Sequence, residues 1–138
     1  MEKDIRWEQR ATSFDKAFDR LREAIEMPDL NELERNGLIQ RFEFTIDLGW
    51  KVLKDFLEFK GFAFKPAPKD TIRLAFESGY ITDAQPLIDG LDIRNILSHD
   101  YDGIKFMAYE PILRRDVYPA LLALKQFFDT VRKNENEK

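Results

Sequence analysis

Between Leu38 and Phe59 the apolar residues recur at steps of three and four: Leu38, Phe42, Ile46, Gly49, Val52, Leu53, Phe56 and Phe59. That period puts them on one face of an α-helix and fits no β-strand. Glu32, Arg35, Gln40, Arg41, Lys51, Lys54 and Glu58 fall mainly on other faces. The segment therefore reads as one amphipathic helix from about Asn31 to Lys60, with Gly61 in the position of a C-terminal cap. Gly37 and Gly49 lie inside it, where each costs roughly 1 kcal/mol against alanine. At Gly49 a close approach of another helix is the expected reason.

The same period runs through the rest of the chain. Phe14, Ala17, Phe18, Leu21, Ala24 and Ile25 mark a first helix from about Asp4 to Met27, broken at Met27-Pro28-Asp29. A loop with two prolines follows the second helix from Phe62 to Pro68. A short third helix is expected from about Lys69 to Ser78, with Ile72, Ala75 and Phe76 facing inward. A fourth is expected from about Ala84 to Ser98, with Asp83 as N-cap and Pro86 in its first turn. Tyr101-Asp102-Gly103 reads as a turn. The last helix is expected from Glu110-Pro111 to about Lys133, kinked or restarted at Pro119. No alternation marks a hairpin and no repeat is evident. The expectation is an all-α fold: an antiparallel, up-down four-helix bundle with an additional short helix, residues 1–138 forming a single domain.

Composition narrows the function classes. The chain has no cysteine, so neither a disulfide framework nor a zinc–thiolate site is available. A charged N-terminus without an apolar run, and no stretch near the ~20 residues that span a bilayer, lead to a cytoplasmic, non-membrane expectation. The net charge of −4 argues against a broad basic nucleic-acid face but leaves room for a small basic pocket.

Chemistry concentrates in Arg94-Asn95-Ile96-Leu97-Ser98-His99-Asp100-Tyr101. His99 is the one histidine, and histidine alone has an unperturbed pKa near neutrality. At about 100° per residue, Leu87, Leu91, Arg94, Ser98 and Tyr101 fall close to one line, with Asn95 and His99 on the next. An apolar seam thus turns polar at its C-terminal end. Such a set suits metal-independent phosphodiester cleavage. Histidine moves a proton to or from a ribose or leaving oxygen. Arginine holds the phosphate with its fork of donors, while Asn95 and Ser98 orient either. A symmetric dimer would supply a second histidine. Equally open is a structural role, in which these side chains cap carbonyls or pair with Asp89, Asp92, Asp100 and Asp102. No metal or cofactor is called for. The Asp100-Tyr101-Asp102-Gly103 hint of a calcium loop lacks its later ligands. Lys65, Lys69 and Arg73 read as an ordinary exposed loop and helix start, with a surface extending a phosphate site as the alternative. The set Phe42, Phe44, Phe56, Phe59, Phe62 and Phe64 reads as core or subunit interface.

The Arg94 to Tyr101 segment resembles the Arg-x-x-x-x-His-x-Tyr signature of the HEPN superfamily. The stretches Ile39 to Lys54 and Ile72 to Ile81 are similar to its nucleotidyltransferase substrate-binding protein branch. The resemblance runs from about Phe14 to Phe128 in the right order. It implies a helical bundle that forms homodimers or higher oligomers, and a co-encoded minimal nucleotidyltransferase as partner. It attaches two activities. One is a partner or substrate-binding subunit in a toxin–antitoxin-like pair. The other is a ribonuclease toxin using Arg94 and His99, acting on RNA and neutralised by AMP transfer to Tyr101. Asn95 matches the polar residue after the motif arginine in many members, and Asp100 places a carboxylate between His99 and Tyr101.

Overall fold

The computed structural model describes residues 2–100 and 103–136, with side chains for 6–100 and 103–134. Its helices are α1 (Glu2–Glu26), α2 (Glu32–Phe59), α3 (Pro68–Glu77), α4 (Gln85–Leu97), α5 (Ile104–Ile112) and α6 (Tyr118–Asn136). A π-helical turn, Leu113–Val117, joins α5 to α6 in one run. No strand occurs among the described residues. The result is a helical bundle of four long helical runs with the short α3 beside it.

α1 and α2 form a hairpin across the break at Pro28. Asn31 caps α2: its side chain accepts from the Glu34 N–H at 2.8 Å, and the Glu34 carboxylate accepts from the Asn31 N–H at 2.9 Å. This reciprocal pair satisfies two backbone donors at the helix start. The hairpin is antiparallel, since Arg41 reaches the Arg20 carbonyl near one end and Arg10 meets Asp55 near the other. The final helical run lies antiparallel to α1. Arg114 donates to the Ile25 carbonyl at 2.7 Å, and Arg132 meets Asp15 at 2.7 Å at the opposite end. Between them lies an aromatic core in which Phe14 meets Phe128 and Trp7 meets Phe56 edge to face.

Two glycines admit close approach. A Cβ at Gly49 would stand 3.1 Å from the Phe14 ring and 3.2 Å from Leu124. At Gly90 in α4 it would stand 2.5 Å from Ile46 Cδ1 and 2.8 Å from Val117 Cγ1. Gly90 thus lets α4 settle onto α2 and the π-turn at once. Leu87, Leu91, Ile93 and Leu97 bury the rest of that face.

The structure departs from the sequence expectation in several places. The last helical run begins at Ile104, not at Glu110, because Gly103 starts it with φ +77° and the Asp100 carboxylate accepts from the N–H groups of Lys105 and Phe106. Pro111 therefore lies inside α5, on an exposed face where water can satisfy the freed carbonyl. Pro119 does not break the run, because the preceding π-turn shifts the hydrogen bonding to Tyr118 N–H with the Leu113 carbonyl. On α3, Thr71, Ile72 and Ala75 are buried while Phe76 is 47% exposed. Ala84, not Asp83, is the N-cap of α4, although the Asp83 carboxylate accepts from the Gln85 N–H at 3.1 Å. Among the described residues no helix is long and apolar enough to cross a membrane.

Candidate functional site

α4 ends at Leu97, and that termination separates residues that the sequence places side by side. Arg94 occupies the last turn, half-buried. Asn95, Ser98 and His99 are exposed. The Ser98 hydroxyl donates to the Asn95 carbonyl at 2.8 Å, and the His99 N–H to the Ile96 carbonyl at 3.3 Å. Ser98 and the His99 backbone therefore help finish the helix. The His99 ring is left at the surface. Tyr101 lies outside the described residues. Asp100 is occupied by the start of α5, so its carboxylate is a helix cap rather than an open charge. Among the described residues no cluster of three or more histidines and carboxylates is placed to hold a metal.

Arg94 turns toward α2. Its Nη2 stands 3.6 Å from Asp47 Oδ1, while its Nε is buried with no hydrogen-bond partner among the described residues. Asp47 is the hub of this cluster. Its Oδ1 also accepts from the Trp50 indole N–H at 3.3 Å, and Oδ2 meets Lys51 Nζ at 3.0 Å. Burial pushes the Asp47 carboxyl up, but hydrogen bonds from Lys51 and Trp50, with the charges of Lys51 and Arg94, outweigh it and hold it below 3.8. One turn earlier, Glu43 behaves oppositely. Burial raises its carboxyl above 4.5, against the attraction of Arg94.

A groove of about 350 Å³ opens beside this cluster. Trp50 and Asp47 of α2 form one wall. Leu91, Arg94 and Asn95 of α4 form another, and Ala67-Pro68-Lys69 at the start of α3 close it. Lys69 Nζ is 2.7 Å from Asp92. His99 does not line this groove. The groove therefore joins a half-buried arginine to an aromatic side chain, and the exposed His99 is not among its walls.

The sequence alone assigns no role to the α2 residues of this site. Glu43, Asp47 and Lys51 recur every fourth residue, a visible helical line. Which helix that line faces depends on how α4 crosses α2 at Gly90. Of the three basic residues read as an exposed loop and helix start, Lys69 lines the groove. Arg73 is exposed on α3, and Lys65 sits 3.9 Å from Asp70. In the phenylalanine set, Phe42 and Phe56 are core and Phe59, Phe62 and Phe64 are packed at its edge, whereas Phe44 is 60% exposed.

Residues 9–130 match the family described as nucleotidyltransferase substrate binding protein like. The chain belongs to this family. It is the nucleotidyltransferase substrate-binding branch of the HEPN superfamily, whose signature the Arg94 to Tyr101 segment resembles. The chain is also 36% identical over 80 residues to a probable ribonuclease HepT of Haemophilus influenzae, a match spanning 52% of this chain and 52% of that protein. A crystal structure of a protein from Thermus thermophilus matches with a TM-score of 0.63 at 31% identity, covering 88% of this chain and 97% of that one.

Proposed function

We propose that this family member, residues 1–138 acting as one domain, is the helical subunit of a two-chain nucleotidyltransferase system. It binds a separately encoded minimal nucleotidyltransferase, as partner or as substrate, in a toxin–antitoxin-like pair in the cytoplasm. The observation that carries this reading is the family match across residues 9–130. The separation of Arg94, in a groove with Trp50 and Lys69, from the exposed His99 supports a binding role for the single chain. Coexpression with the co-encoded nucleotidyltransferase should give a stable complex on copurification and sizing. Two proteins that elute apart would defeat the proposal.

A second reading is favoured by the similarity to the probable ribonuclease HepT. Here Arg94 neutralises the scissile phosphate, His99 moves the proton, and Asn95 and Ser98 orient them. Two copies would bring their α4 ends together so that one chain's arginine and the other's histidine act on the same RNA. AMP on Tyr101 would add a negative phosphodiester to the same signature and switch the site off. The purified protein should then cleave RNA in EDTA, and His99→Ala should abolish the cleavage; equal cleavage by the variant rules this reading out. Intact mass after coexpression should show added AMP that Tyr101→Phe removes.

A further inference from the structure

We propose that the outer seam of the α1–α2 hairpin docks an acidic amphipathic helix of the co-encoded nucleotidyltransferase, with Phe44 as its apolar anchor and Lys16, Arg20 and Arg41 as its cationic rim. The proposal rests on the two-chain reading above and adds the surface and the chemistry of the partner segment.

The hairpin has two long seams. One is filled by the last helical run, where Phe14 meets Phe128 and Leu124 closes on Gly49. The other is a cleft of about 530 Å³ lined by α1 and α2 alone. Its floor is apolar: Ala17 of α1 and, one turn apart on α2, Phe44 and Leu48. Phe44 is 60% exposed, on the face of α2 away from buried Phe42 and Ile46. A phenylalanine there adds neither core burial nor helix propensity to its own chain. A single exposed apolar side chain is ordinary, but this one stands inside a ring of unspent charge.

Lys16 and Arg20, one turn apart on α1, have no carboxylate partner among the described residues. Arg10, Lys51, Lys54, Lys125 and Arg132 each have one. At about 100° per residue, Asp15 and Asp19 fall on the far side of α1, where Asp15 is held by Arg132. Arg41 spans the cleft from α2, donating to the Arg20 carbonyl at 2.7 Å and meeting Glu23 at 3.5 Å. That ion pair is exposed and exchanges readily. The cleft thus carries three cations against one carboxylate, on a chain whose net charge is −4.

An apolar strip flanked by cations at one-turn spacing is the complement of a helix with apolar residues at i, i+3, i+4 and i+7 and carboxylates beside them. Single-stranded RNA fits less well. It stacks successive bases on several aromatic side chains, and Phe44 is the one aromatic lining the cleft among the described residues. The net negative charge of the chain also opposes a polyanion.

The test measures affinity and association rate of the intact chain for the purified nucleotidyltransferase by surface plasmon resonance. Phe44, Lys16 and Arg20 are exposed, so their variants should keep the parental thermal midpoint. Phe44→Ser should weaken the complex at least about tenfold, as loss of an aromatic anchor does. Lys16→Ala with Arg20→Ala should weaken it about threefold to tenfold, chiefly by slowing association, and added salt should slow the parent more than this variant. Lys16→Glu with Arg20→Glu should weaken it further still. Met107→Ser, which removes an exposed apolar side chain from α5, should leave affinity within about twofold. No complex with the parent defeats the two-chain reading and this surface with it. A parental complex indifferent to Phe44→Ser and to the charge reversal overturns the seam alone. Charge reversal no worse than alanine overturns the acidic character of the partner segment. Binding of a single-stranded oligouridylate that Phe44→Ser and the charge reversal both abolish, with the protein complex intact, gives the seam to RNA and overturns the proposal.

Discussion

Two aspartates on α2, eight residues apart, are built from the same parts and do different work. Asp55 is 2% exposed, with Arg10 of α1 at 3.0 Å and Lys54 at 3.4 Å on its two oxygens. Asp47 is also met by one arginine and one lysine, but its side chain is 31% exposed and its arginine stands off at 3.6 Å. Asp55 sits under the α1–α2 seam and has no reason to change partners. Asp47 sits at the rim of a groove, where a competing anion can reach Arg94. Burial, not residue type, separates the lock from the adjustable site. A buried pair is costly to break, whereas an exposed one contributes little and exchanges readily.

The comparison can be broken most directly at Asp55. Asp55→Asn removes the charge that Arg10 and Lys54 share, and stability in urea should fall by roughly 3 kcal/mol. An unchanged midpoint would mean that the two aspartates are equivalent after all. Next in size is the closed contact of α2 with α4. Gly90→Ala drives a Cβ into Ile46 and Val117 and should cost about 1–2 kcal/mol, the overpacking outweighing the gain in helix propensity. Gly37, on the same α2, has nothing within 4 Å of an added Cβ. Gly37→Ala should therefore raise stability by about 0.5–1 kcal/mol, seen as a higher thermal midpoint. Asp47→Asn should change stability by less than about 1 kcal/mol while altering anion binding, the reverse of Asp55→Asn.

The smallest effects are in pH dependence, and their signs are opposite. Asp47 has a carboxyl held below 3.8, so its contribution to stability is present above that value and lost as pH falls through the lower folded one. Asp47→Asn should flatten acid unfolding in that window. Glu43 has a raised carboxyl, so its ionised form costs stability at neutral pH, and the cost is relieved as pH falls through the raised value toward 4.5. Glu43→Gln should therefore be slightly more stable than the parent at pH 7 and lose that advantage on acidification. Parallel pH curves for the two variants would contradict the assignment of opposite environments.

Legibility varies along the chain for local reasons. α2 is readable because its stripe is long and regular, and Gly49 is readable as a close approach because nothing local requires a glycine there. The start of the last helical run is not. Pro111 has the look of a first-turn proline, whereas the capping carboxylate, Asp100, lies well ahead of it in the chain. Spacing points Phe76 inward, but α3 is short and turns its Thr71–Ile72–Ala75 face to the bundle instead. In the site, Arg94 and His99 are legible as a signature. Glu43, Asp47 and Trp50 are not, because a half-buried polar residue on one helix gains a role only when another helix crosses it.

The sequence by itself determined that the chain is helical and where α2 runs, and it singled out Arg94 to Tyr101 as the candidate site. Those facts follow from period, capping residues and the rarity of histidine, all local properties. Tertiary structure decided that Arg94 turns toward Asp47, that Trp50 and Lys69 share its groove, and that His99 is not among the groove's walls. The physical reason is the crossing at Gly90. A missing side chain lets α4 settle onto α2 and the π-turn together, and that contact fixes which polar residues meet.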